Sequence, residues 1–140
     1  MKKEYLFKLN SYFSSFYTSF QKIQLSDPTD YLSEERLDVV AKIIYCEYYL
    51  GFEKTLFKKI LYYLHLKKFN NFKGKDSHKL TFNDYESSFK DLIKSIKNNN
   101  FDDQKSLIPI DIDNKIIDGS HRLAACVFLK KKNQIIKFLS

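Results

Sequence analysis

At 140 residues, with 44% hydrophobic and 16% aromatic content, the chain is long enough for one domain with a real core and too apolar for disorder throughout. A net charge of +7 admits nucleic acid, nucleotides or anionic surfaces as partners and selects none of them. No stretch is apolar enough for a transmembrane segment, no secretory signal is visible, and Cys46 and Cys126 form no metal motif, so two buried thiols in a reducing, cytoplasmic setting are expected.

Residues 4–24 place Leu6, Leu9, Phe13, Phe16, Phe20 and Ile23 at helical spacing, which predicts an amphipathic helix. Its polar side is rich in Ser, Asn and Tyr rather than cationic. The aromatic face is therefore expected on the rest of the protein or on a second copy, giving a homodimer, before a membrane. Asp27-Pro28-Thr29-Asp30 reads as a turn. Ser33 is placed to cap a helix with Glu34 and Glu35 in its first turn and Gly51 just past its end. Leu37, Val40, Ala41, Ile44, Tyr45 and Tyr48 make its expected buried stripe, while Asp38 and Lys42 have the four-residue spacing of an exposed helix ion pair. A second helix over 53–68 is expected to turn Leu56, Phe57, Ile60, Leu61 and Leu64 inward, and the Gly51 joint suggests an antiparallel helical hairpin. Residues 70–79 read as a polar loop. Thr81 with Asp84 three residues on is a capping box, opening a helix to about Asn98 whose core face is Phe82, Tyr85, Phe89, Leu92, Ile93 and Ile96.

Near residue 107 helical periodicity gives way to short apolar runs. Residues 107–112 read as a strand, Asp113-Asn114 as a tight turn with Asp113 consumed by it, and 115–117 as the returning strand. A helix over 121–131 and a last strand over 134–139 follow. Long helices first and a small mixed sheet last define the α+β class. The expected organisation is a helical N-terminal region, 1–80, and a core, 81–140, together one compact unit. The last strand is expected to offer a sheet edge that a partner chain or further C-terminal residues would cover.

Asp118-Gly119-Ser120-His121-Arg122 is the most informative turn. A strand, a glycine and a helix N-terminus in that order aim free backbone N–H groups and the helix dipole at one spot, a natural anion cradle. His121 and Arg122 fall in the first helical turn, where cations work against the dipole unless they face something negative. Arg122 is one of two arginines among 24 basic residues, the other being Arg36. A phosphate-bearing ligand is the sharp reading. Each residue also has a plainer role: Gly119 a positive φ, Ser120 a cap, His121 a bond to a carbonyl, Arg122 an ion pair with Asp118, and Asp118 bonds to the turn's own N–H groups.

Read with the preceding helix, LIKSIKNNNFDDQKSLIPIDIDNKIIDGSHRLAACVFL resembles the core of the ParB/sulfiredoxin superfamily through Ser95-Ile96, Pro109-Ile110, the hairpin at Asp113-Asn114 and the Gly119-Ser120-His121-Arg122 turn. The likeness covers roughly residues 90–130. Sulfiredoxins carry Cys where Ser120 stands and cradle ATP phosphates there; ParB proteins carry a Gly-Glu-Arg-Arg turn that binds CTP. The turn looks most like that of ParB-like domains found with surface-polysaccharide genes, whose turn is Gly-Ser/Ala-His-Arg, and free-serine kinases of the superfamily transfer phosphate to a hydroxyl. The resemblance implies a small ParB/sulfiredoxin-like mixed sheet under a helical layer. It also implies a nucleotide-dependent, kinase-like phosphotransferase using ATP (or ADP or CTP) and Mg2+, with a small-molecule or saccharide acceptor such as a polysaccharide precursor. Gly119, Ser120, His121 and Arg122 would hold phosphate, Asp118 and His121 would be catalytic, and Asp118 would be the proton acceptor and metal contact. Through the likeness of RLDVVAKIIYCEYY…YYLHLKKFNNF to the helical region of the same relatives, Arg36, Lys42 and His65 would face the cleft. The alternative is a non-catalytic ParB-like DNA-binding or assembly module, using lysines 58, 59, 67, 68, 73 and 75. It is the weaker reading, since the arginine-rich ParB turn and a helix-turn-helix are both missing from the sequence.

Overall fold

A computed structural model of the chain describes residues 19–73, 79–99 and 107–139. In chain order these form strand β1 (Ser19–Ser26), a 3-10 turn (Pro28–Tyr31), helices α1 (Leu37–Leu50), α2 (Leu56–Asn70) and α3 (Phe82–Lys97), strand β2 (Ile108–Ile110), helix α4 (Ser120–Leu129) and strand β3 (Asn133–Leu139). The class is α+β, with four helices and a three-stranded mixed sheet among the described residues. None of these helices is long and apolar enough to cross a membrane.

The sheet order is β1-β3-β2, with β3 antiparallel to β1 and parallel to β2. The last strand is therefore central, which corrects the expectation that it offers an open edge; among the described residues the edges are β1 and β2. A second correction concerns 19–24, expected to end an amphipathic helix and found instead in β1. The rest of that expected helix, residues 4–18, lies outside the described residues. A register shift between Phe20 and Lys22 sets Phe20 opposite Phe138 and Ile23 opposite Ile136. Positions three apart in β1 thus face positions two apart in β3. A bulged strand reads out a spacing that sequence alone assigns to a helix.

α3 forms where its local signals put it. Thr81 Oγ1 accepts from the Asp84 N–H, and the Asp84 carboxylate accepts from Thr81 N. Tyr85, Phe89, Ile93 and Ile96 are buried at helical spacing, with Phe82 and Leu92 packed beside them. α1 departs from expectation at both its start and its face. Ser33 closes a turn by accepting from Glu35 N, and the helix begins at Leu37 with Arg36 as its N-cap residue, one turn late. Its inward residues are Val39, Lys42, Tyr45 and Cys46, while Leu37 is 71% exposed and Val40 44% exposed. α2 is likewise rotated: Tyr62 and Leu66 point inward, and Leu56, Phe57, Ile60 and Leu64 outward. Both rotations seat a polar atom on a partner from α4, Lys42 on Ser120 and Tyr62 on His121, so neither buried group is left without a hydrogen bond. Gly51 does follow α1, in extended backbone rather than the left-handed region. A Cβ there would lie 2.3 Å from the Glu47 carbonyl oxygen, so close approach requires the glycine.

The hairpin after β2 is minimal, one antiparallel bridge between Ile110 and Ile116. Asp111, not Asp113, builds its turn: Oδ1 accepts from the N–H groups of Asp113 and Lys115, and Asn114 takes φ +61°. The chain then enters α4, whose buried Leu123, Ala124, Ala125 and Cys126 meet α1 and α3. One cluster unites Tyr45, Tyr62, Phe89, Ile108, Leu123 and Ile135, so residues from both sides of position 80 share a core. Both cysteines are free thiols buried in it, as expected, and burial pushes Cys46 up to about 12.

Candidate functional site

Gly119 sits at the N-cap of α4 with φ +83°, a left-handed conformation that favours glycine. It has a second reason to be glycine. A Cβ there would come 2.8 Å from Arg122 Nη2, because the guanidinium folds back over the turn. Arg122 Nη1 donates to the Leu107 carbonyl at 2.8 Å, bracing the lead into β2. Gly119 N donates to Asp118 Oδ1 at 2.7 Å, so the Asp118 carboxylate, exposed at the surface, caps its own turn.

The turn forms one wall of a cleft of about 290 Å³, lined by residues 118–122, by Tyr85, Ser88, Phe89 and Leu92 of α3, and by Lys79. The α3 wall is largely apolar and the α4 wall polar, an arrangement usual in small-molecule sites.

His121 does not act as a cation here. Its ring stands edge-on to Phe89 at 4.8 Å and to Tyr62 at 5.8 Å, and Nε2 shares a 2.9 Å hydrogen bond with the Tyr62 hydroxyl. Burial among these rings, reinforced by the charges of Lys42 and Lys79, holds the imidazole well below its ordinary value, so it is neutral at pH 7. The charge at the turn comes from elsewhere. Lys42, 4% exposed, crosses from α1 and donates to Ser120 Oγ at 2.6 Å. Its ion pair with Asp38 is the expected four-residue pair but is long, 3.5 Å, and part-buried rather than exposed, with the lysine end enclosed. Asp38 is held more tightly by Arg36, which takes one carboxylate oxygen with Nε at 2.7 Å and the other with Nη2 at 2.8 Å. Arg36 Nη1 also donates to the Ile116 carbonyl, tying α1 to the returning arm of the hairpin.

Burial pushes Lys42 down to about 8 against the pull of Asp38. For Asp38 burial works upward, but the Arg36 hydrogen bonds and the charges of Lys42 and Arg36 outweigh it and hold the carboxyl well below the usual carboxylate range. His65, half-buried, stacks on Phe69 at 5.7 Å and lies outside the set of residues lining the cleft, although its charge would bear on His121.

Of the residues singled out from sequence, the structure brings Asp118, Gly119, Ser120, His121 and Arg122 together with Lys42, and places Arg36 behind Lys42 on the same Asp38 carboxylate. Tyr62, the partner of His121, and Lys79 and Ser88 on the cleft wall were not legible as site residues. Tyr62 lies among tyrosines and leucines that all fit a core face, and nothing near it in sequence marks its partner 59 residues away. No family model, curated protein or solved structure matches this chain.

Proposed function

We propose that the protein is a nucleotide-dependent phosphotransferase acting on a hydroxyl acceptor, with phosphate seated on the first turn of α4. One observation carries this reading: a buried lysine amine, 2.6 Å from Ser120 Oγ, sits behind a helix N-terminus that opens on a cleft. A helix N-terminus already carries roughly half a positive charge. An ammonium beside it is unfavourable unless an anion completes the site, and Asp38 answers Arg36 first. A phosphate at the turn would meet the first-turn amides and the Ser120 hydroxyl, with this charge directly behind them.

The cleft has more room than a lone phosphate needs, and Tyr85, Phe89 and Leu92 contribute an apolar lining on the side of α3. The resemblance of the turn to the ParB/sulfiredoxin superfamily is what favours ATP, with ADP or CTP as the other nucleotides, and a sugar or polysaccharide precursor as acceptor. Asp118, exposed at the rim, is the carboxylate positioned to take the acceptor's hydroxyl proton. Neutral His121 offers hydrogen bonding without charge. Among the described residues Asp118 is the only acid lining the cleft and no group of metal-ligating side chains converges. Mg2+ would therefore enter on the nucleotide phosphates, which bring most of its ligands, and supply charge neutralisation there.

Calorimetry with ATP, ADP and CTP, each with and without Mg2+, tests the reading. Saturable binding of at least one nucleotide is expected. The absence of heat from all three at millimolar concentration would remove the proposal.

A further inference from the structure

Ser120 is at once the first residue of α4, a lining residue of the cleft and the hydrogen-bond partner of a buried amine. A serine hydroxyl is a weak nucleophile until a base within hydrogen-bond reach can take its proton. The Lys42 amine has that reach at 2.6 Å, and Ser-Lys pairs play this part on unrelated folds. The arrangement is directional. Lys42 is sealed behind the turn and is not a lining residue, so an electrophile arriving from the cleft meets the oxygen first, with the amine on its far side.

We propose that Ser120 Oγ is itself a phosphoryl acceptor, and that the protein passes the phosphoryl group onward through a phosphoserine. The inference rests on the reading of the cleft as a phosphotransfer site and adds a covalent stage to it. In the first step Oγ bonds to the terminal phosphorus of a nucleoside triphosphate. The bond from that phosphorus to the bridging oxygen breaks, the nucleoside diphosphate leaves with the electron pair, and the hydroxyl proton passes to Lys42 Nζ. In the second step the acceptor hydroxyl oxygen bonds to the phosphorus and the Oγ–P bond breaks. Lys42 returns its proton to Oγ, while Asp118 takes the acceptor's proton and releases it to solvent. A phosphoserine at this position faces the α4 first turn and a lysine ammonium, the surroundings that stabilise such a dianion.

The amine must be neutral to start the first step. Burial lowers Lys42, Asp38 raises it, Arg36 lowers it further and Asp118 raises it, with His65 and His121 facing it from α2 and α4. The balance, about 8, leaves a usable neutral fraction near neutrality, which an ordinary lysine at 10.5 would not have.

The full chain is incubated with Mg2+ and ATP labelled in its terminal phosphoryl group, and in parallel with labelled acetyl phosphate, a donor that needs no nucleotide site. Trypsin frees residues 116–122, a peptide whose one hydroxyl is that of Ser120. Acid-stable phosphoserine is expected in that peptide from at least one donor, formed faster as pH rises from neutrality towards about 8. Ser120→Ala should carry no label, Ser120→Thr should retain it, and Lys42→Met should be labelled roughly 100-fold more slowly. Lys42→Arg keeps the charge but cannot give up a proton, so it should bind nucleotide and remain unlabelled; rescue of labelling by arginine would reduce Lys42 to an anion holder and overturn the proposal. Nucleotide binding with the peptide unlabelled by both donors overturns the phosphoserine and leaves the nucleotide reading standing. Label from acetyl phosphate without nucleotide binding supports the phosphoserine and removes that reading.

Discussion

Lys42 is the residue on which the site turns, and its burial has a thermodynamic signature separate from any ligand. Its amine falls from 10.5 in the open chain to about 8 in the fold. Between those values the unfolded chain binds more protons than the folded one, so the Lys42 contribution to stability rises with pH across that window and is wholly unfavourable below it. The shift corresponds to about 3 kcal/mol at the ordinary conversion. Lys42→Met, similar in volume and uncharged, should therefore be at least as stable as the wild type near neutrality. Urea midpoints measured from pH about 8 to 10.5 should rise for the wild type relative to the variant. A parallel pH dependence in the two proteins would mean that the amine is not held in the low state described here. The i,i+4 spacing of Asp38 and Lys42 is visible in the sequence. That the lysine of the pair is buried, and that its amine ends on a serine 78 positions away, is not.

Elements whose signals are local were legible; those whose orientation is fixed by distant partners were not. α3 is set by its capping box and an unambiguous apolar stripe, and it lies where the sequence puts it. The apolar residues of α1 and α2 surround each helix widely enough that several faces look buriable. The faces actually chosen satisfy Lys42 and Tyr62, whose partners Ser120 and His121 both belong to α4. β1 is fixed by pairing with β3, more than a hundred residues later. The turn into α4 was legible because glycine chemistry is local. Gly119→Ala must force a left-handed non-glycine residue and displace the Arg122 guanidinium, and should cost about 1–2 kcal/mol or more in denaturant unfolding. β3 offers the opposite case. The Asn133 side-chain amide is buried, and among the described residues neither its nitrogen nor its oxygen has a hydrogen-bond partner. Replacing it with an apolar group of similar size, Asn133→Leu, should stabilise the protein by about 1–3 kcal/mol. A loss of stability of that size would show that the amide is satisfied in solution.

At the scale of the molecule, the site lies where the helical layer and the sheet meet. Arg36 and Lys42 reach it from α1, the cleft wall comes from α3, the turn belongs to α4, and Arg122 ties that turn to the lead of β2. Global unfolding must dismantle all of these contacts, so a ligand held there should stabilise the whole fold by mass action, about 2.7 kcal/mol at a hundredfold excess over Kd. The most direct test of the central claim, that a buried lysine behind the α4 N-terminus builds a phosphate site, is calorimetric titration of wild type and Lys42→Met with the nucleotide that the wild type binds best. Loss of the ammonium charge behind Ser120, with no direct ligand contact removed, predicts binding weaker by roughly tenfold, with circular dichroism unchanged. Equal affinity in the two proteins would contradict the account.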